Sequence, residues 1–146
     1  MKKIFFAIAG ILAGSSLFAQ QTGKLADNYL AIKNALVSGD SKTAAEAAAT
    51  FQHNIKEDGN FALKADLLKA TEELAKASTL ENQRAVFNNV SATFWKVVKT
   101  ATKTETPLYY QYCPMKKAYW VSKEKDIRNP YYGSSMLTCG KVVETN

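Results

Sequence analysis

The sequence is short of the residues that most site chemistry uses. It has two cysteines and one histidine in 146 residues. So few cysteines exclude a disulfide-dense scaffold. A single histidine excludes a His-rich metal site and leaves His53 as the only imidazole. No nucleophile, base and orienting group stand at a known spacing, and no Gly-rich phosphate loop is present, so an enzyme is not expected. Proline is scarce and confined: Pro107, Pro114 and Pro130 all fall in the last forty residues. A membrane-spanning run is missing too. The longest apolar stretch, residues 4–18, falls short of the roughly 20 residues that a span needs.

What is present reads as one globular domain. The chain is 47% hydrophobic and 22% charged, which argues against disorder. Lys2 and Lys3 precede the apolar stretch, and Ala13, Gly14, Ser15 and Ser16 lie near its end. This is the pattern of a secretory signal peptide over residues 1–20, with cleavage after Ala19 or Gln20. Export leaves residues 21–146 in an oxidising compartment, with no stable membrane insertion. It also removes two lysines from 19 basic residues, leaving 17 against 13 acidic, so the net charge falls from +6 to +4. No basic stretch interleaved with stacking aromatics is long enough to track a phosphate backbone, so nucleic acid is not an expected partner.

The mature chain divides by composition. Residues 24–104 contain no proline and are rich in Ala, Lys, Glu and Leu, which lose little rotamer freedom in a helix. The spacing predicts a first helix over 24–38 with Leu25, Tyr29, Ile32 and Leu36 on one face. Gly39 stops it, and Asp40 or Ser41 caps a second helix to about residue 56, with Ala44, Ala48, Phe51 and Ile55 inward. A third, over 61–76, presents Phe61, Ala65, Leu68 and Ala75. A capping box, Ser78 with Glu81, starts the longest helix, to about residue 103. Its stripe is Leu80, Phe87, Val90, Phe94, Val97, Val98 and Ala101. The expected fold is mainly α: an up-and-down bundle of about four helices. His53 reads as a boundary histidine, or as a metal ligand offered from the bundle.

The tail, residues 107–146, holds six of the seven tyrosines. Residues 108–112, 118–121 and 139–143 are candidate short strands. The tail is too short for its own core and must pack on the bundle. Its aromatics, among them Tyr112, Trp120 and Tyr131, form either a lid on the core or a partner-binding face. Cys113-Pro114-Met115 places two sulfurs two residues apart, on one face of an extended segment. Met136 and Cys139 are three apart, within reach across one helical turn. Two thiolates and two thioethers are soft ligands. They suit Cu(I), whereas zinc prefers Cys, His and carboxylate. The alternative is a Cys113–Cys139 disulfide, worth about 3.5 kcal/mol on a chain-entropy argument, with no metal cofactor.

The tail residues Tyr112-Cys113-Pro114-Met115, Trp120, Ile127, Asn129-Pro130-Tyr131, Gly133, Met136 and Cys139-Gly140 resemble the signature of the periplasmic domain of unknown function 3347. Gln83-Arg84, Phe87 and Ser91 match its pattern on the last helix. That family occurs in Bacteroidetes, as small secreted proteins and as a domain appended to heavy-metal efflux membrane-fusion proteins. The resemblance implies a helical bundle with a sulfur-bearing tail, a periplasmic location and an efflux adaptor or metal carrier as partner. Its implied ligands here are Cys113, Met115, Met136 and Cys139. Family members often carry a histidine before the Gln-Arg pair, where this chain has Asn82.

Overall fold

The structure is a computed structural model. It describes residues 13–146 except 102, 103 and 105, with side chains from residue 20 onward. Most of the expected export segment, residues 1–20, lies outside the described residues. Among the described residues are four helices, α1 (Ala13–Ser38), α2 (Ser41–Glu57), α3 (Lys64–Lys76) and α4 (Leu80–Thr100). Each packs on the next in chain order, and two to six residues join them, so the up-and-down array is realised. No described helix is long and apolar enough to cross a membrane.

The periodic apolar residues of α1 and α2 are the buried ones: Leu25, Tyr29, Ile32 and Leu36, then Ala44, Ala48, Phe51 and Ile55. Gly39, at φ +75°, closes α1. Asp40 N–H reaches Ala35 O at 3.0 Å and Gly39 N–H reaches Leu36 O at 3.3 Å, the paired bonds of a left-handed helix stop. Asp40 then caps α2 by accepting the Thr43 N–H at 2.9 Å.

Some boundaries differ from the periodic reading. Helix α1 begins at Ala13 rather than at residue 24, and at 26 residues it, not α4, is the longest. The stretch 13–23 contains no proline to stop a helix, and its two glycines, Gly14 and Gly23, are tolerated. Helix α3 starts at Lys64, after Leu63 at φ +67°. It therefore buries Leu67, Ala70, Thr71 and Leu74, while Ala65 is exposed. Phe61 still reaches the core from the preceding loop. The α4 cap is Thr79, whose hydroxyl accepts the Asn82 N–H at 3.2 Å, and not the Ser78–Glu81 pair. Helix α4 ends at Thr100, three residues before the expected boundary.

The tail folds as a three-stranded antiparallel sheet of β1 (Tyr109–Cys113), β2 (Ala118–Ser122) and β3 (Lys141–Thr145), in the order β2-β1-β3. β2 packs against both α4 and α1, lying along the seam where those two helices touch less extensively than sequential ones do. An edge strand there would bury unpaired backbone groups, which is costly. Side chains satisfy them instead. Tyr119 N–H donates to Asn88 Oδ1 at 2.8 Å, and Val121 N–H to the Tyr29 hydroxyl at 3.1 Å. The Tyr119 carbonyl accepts from the Tyr131 hydroxyl. On the sheet face toward α4, Trp95, Tyr110 and Tyr119 stack at 4.9 and 4.8 Å. Trp95 Nε1–H donates to Glu144 Oε2 at 2.9 Å, fastening β3 to α4. Lys33, buried on α1, lies 3.6 Å from Glu124. Burial lowers its pKa, and the carboxylate opposes that shift.

Candidate metal site

The β1–β2 hairpin reverses through Pro114, Met115, Lys116 and Lys117, with Lys117 in the left-handed region at φ +53°. Cys113, the last residue of β1, is wholly buried. Cys139 arrives on a second turn, where its N–H reaches Met136 O at 3.1 Å, just before β3. Gly140 follows at φ +153°, and a Cβ there would lie 2.7 Å from Trp120 Cη2 and 3.0 Å from Tyr112 O. That close approach seats the second turn against the hairpin. The two thiols face each other with Sγ–Sγ 3.9 Å, and both are free. A disulfide bond is about 2.0 Å long, so this is a dithiol.

One backbone amide of the hairpin turn points at the pair: Lys116 N–H lies 3.4 Å from Cys113 Sγ. Burial pushes the Cys139 thiol up, neighbouring Cys113 adds to the rise, and the Met115 amide opposes it.

The other expected site residues differ from this pair in burial. Met115 is 65% exposed and Met136 37% exposed, so the thioethers stand at the surface of the two turns that carry the thiols. His53 is exposed on α2, whose packing partners are α1, α3 and α4, apart from the sheet. Trp120 and Tyr131 are buried at 0% and 4% exposure, edge to face at 6.2 Å. They are core residues and offer no partner surface; of the three aromatics expected there, only Tyr112 is partly exposed. The tail aromatics needed the bundle to bury them, and Trp120 and Tyr131 went furthest in.

Two residues that hold the site have no chemical signature in the sequence. Buried Asn129 donates Nδ2–H to Cys139 O at 2.7 Å, and its Oδ1 accepts the Tyr131 N–H at 2.8 Å. Arg84 donates from Nη2 to Leu36 O at 2.7 Å and from Nε to Pro130 O at 2.8 Å. It thereby ties the end of α1 to the tail. In the sequence both stand out only through the family resemblance, as Gln83-Arg84 and Asn129-Pro130-Tyr131, with no chemistry attached to them.

The donor set decides which ions fit. Two sulfurs each about 2.3 Å from one ion, at a bond angle near 109–120°, stand roughly 3.8–4.0 Å apart. The Cys113–Cys139 pair has that separation. Among the described residues no group of three or more His, Cys, Asp or Glu is placed to hold a metal. A four-ligand zinc site of those residue types is therefore not formed. Two thiols and two thioethers are a soft donor set.

The family model described as Protein of unknown function (DUF3347) matches residues 25–106, more than half of the chain. The chain belongs to this family. Comparison with curated proteins finds no match, and comparison with solved structures finds none. The DUF3347 match covers α1 from residue 25 and all of α2, α3 and α4, and ends before Cys113. Within it, Gln83, Arg84, Phe87 and Ser91 all serve docking. Gln83 donates to Ser41 O and Ala77 O, at 2.9 and 3.3 Å. Phe87 stacks on Tyr29 and tilts against Tyr131. Ser91 meets the Tyr29 hydroxyl at 2.6 Å.

Proposed function

We propose that this protein is an exported, periplasmic carrier of Cu(I), bound between Cys113 and Cys139. Met115 and Met136 are exchangeable thioether ligands. What supports this reading is the unbridged cysteine pair, with Sγ atoms 3.9 Å apart on two separate turns, each of which also carries a methionine. A carrier works by ligand exchange and needs no general base, in keeping with a lone exposed histidine on α2. The partner is a metal-efflux adaptor or another periplasmic metal carrier, and the role is copper handling or efflux.

Titration of the reduced protein with Cu(I) and Zn(II) in parallel tests this. The expected result is one Cu(I) per chain, with zinc bound far more weakly, and loss of copper binding in Cys113→Ser and Cys139→Ser. Equal copper binding by the double serine variant, or a preference for zinc, sinks the proposal.

A second reading rests on the same proximity. Oxidation would staple the hairpin to the β3 turn through a Cys113–Cys139 disulfide and leave a structural or interaction module without metal. Mass spectrometry of freshly isolated protein decides between them. Two free thiols go against the staple.

A further inference from the structure

The surroundings of the sulfur pair carry a charge pattern that the ligand argument does not use. Lys116 and Lys117 sit exposed on the hairpin turn, beside Met115. Lys141, also exposed, opens β3 two residues after Cys139 and pairs across from Tyr112, the neighbour of Cys113. No Asp or Glu occurs anywhere in residues 108–123 or 129–143, the segments that build the site. The carboxylates bordering them are engaged elsewhere. Glu144 binds Trp95 and Lys99, and Glu124 binds Lys33 and Ser122. Asp126 is exposed on the linking stretch between those segments, as is Glu124. The exposed surface of the two turns and of the start of β3 thus carries three lysines and two neutral thioethers, next in the chain to one buried and one half-buried thiol.

That pattern disfavours a bare cation approaching from solvent. We infer that the site takes its copper from a small anionic Cu(I) complex, one whose donor ligands carry net negative charge. The inference rests on the copper reading above and names the form in which the metal arrives. The lysines attract the complex, and an exposed thioether is the first protein sulfur it meets. The two thiols then complete the exchange. In that step each Sγ gives its proton to solvent and two Cu–S bonds form. The bonds from copper to the departing ligands break, each ligand leaving with the electron pairs it had donated, and copper stays Cu(I). The bound bis-thiolate centre is itself an anion, which the same lysines stabilise. Electrostatic attraction of this kind raises association rates by about 10–1,000-fold and weakens as salt rises.

The test is transfer from the trianionic Cu(I)–bis(bicinchoninate) complex to the reduced protein, followed by loss of its visible absorbance. The wild-type rate is expected to fall severalfold between low and physiological ionic strength. A Lys116→Glu/Lys117→Glu/Lys141→Glu variant is expected to react at least tenfold more slowly, with its rate rising as salt is added. Its Cu(I) stoichiometry, measured with the acetonitrile-solvated ion, should stay at the wild-type value, and circular dichroism should report the same helix content. A salt-independent wild-type rate, or a variant as fast as wild type, overturns the inference while leaving copper binding intact. Failure of the wild-type protein to take copper from either source overturns both. If the triple variant loses its fold, Lys116→Gln/Lys117→Gln replaces it, with a rate drop of at least threefold expected and an unchanged rate counting against the inference.

Discussion

Replacing Tyr29 by alanine is expected to cost about 3–5 kcal/mol of unfolding free energy, the range for deleting a fully buried aromatic side chain. That is a large part of the 5–15 kcal/mol typical of a domain, so the variant should be partly unfolded near 37 °C. Tyr29 is wholly buried and stacks between Phe87 and Phe94, at 5.3 and 4.8 Å. Its hydroxyl lies 2.6 Å from Ser91 Oγ on α4 and accepts the Val121 N–H of β2 at 3.1 Å. One side chain from α1 therefore joins both elements that form the seam. Tyr29→Phe separates the two contributions. It keeps the stacking and removes the acceptor for a buried amide, at about 1–3 kcal/mol. Ser91 is less affected, because its hydroxyl also reaches Phe87 O at 2.9 Å. Urea unfolding followed by circular dichroism measures both. A phenylalanine variant as damaging as alanine would mean that the hydroxyl, and not the ring, holds the seam. One as stable as wild type would mean that the Val121 amide finds another acceptor.

Tyr29 also marks where local sequence pattern stops being informative. Its place on the inward stripe of α1 was legible, because a 3.6-residue period needs only neighbours in the chain. The same holds for the α2 stripe, for Gly39 and for Asp40. The shift of the α4 cap from Ser78 to Thr79 is a one-residue choice between two hydroxyls, which the pattern does not resolve. The rotated inward face of α3 follows from where Leu63 turns, and that depends on how Phe61 is buried. The three tail strands were legible within two residues, but their order was not. The order β2-β1-β3 is selected by which edge the helices can satisfy, through Tyr29, Asn88 and Tyr131, from three distant parts of the chain.

The candidate site divides in the same way. The meeting of Cys113 and Cys139 was anticipated, because a bound metal and a disulfide both require it. The exposure of the methionines was not, since two-residue and three-residue spacings say which side chains are near one another and nothing about which face meets solvent. Arg84 and Asn129 act on backbone carbonyls. Any residue supplies a carbonyl, so no residue pattern in the sequence marks its partner.

Asn129→Ala is expected to loosen the dithiol without melting the bundle. The wild-type side chain is wholly buried and makes three bonds: one to Cys139 O, and two from the amides of Tyr131 and Tyr132, at 2.7, 2.8 and 3.3 Å. Alanine removes the partner of the part-buried Cys139 carbonyl and of the Tyr131 and Tyr132 amides, the first of them buried, at about 1–3 kcal/mol for each buried group left unpaired. Those groups belong to the turn that presents Cys139, not to the helices, so the loss falls on the geometry of the sulfur pair. The measurement is the rate of Cys113–Cys139 disulfide formation with a mild dithiol oxidant that accepts two electrons and two protons. Held at 3.9 Å in the wild type, the thiols should close quickly. In the variant the rate should fall at least tenfold, with helix content by circular dichroism unchanged. Asn129→Asp sharpens the test. It keeps an acceptor for the Tyr131 amide but sets an oxygen against the Cys139 carbonyl in place of a donor, so it should be as slow as alanine. Wild-type rates in both variants would mean that Gly140 and the Met136 turn position Cys139 without Asn129. A slow alanine variant beside a fast aspartate one would place the control on Tyr131 instead. The outcome does not depend on any metal, so it measures the preorganisation of the pair directly.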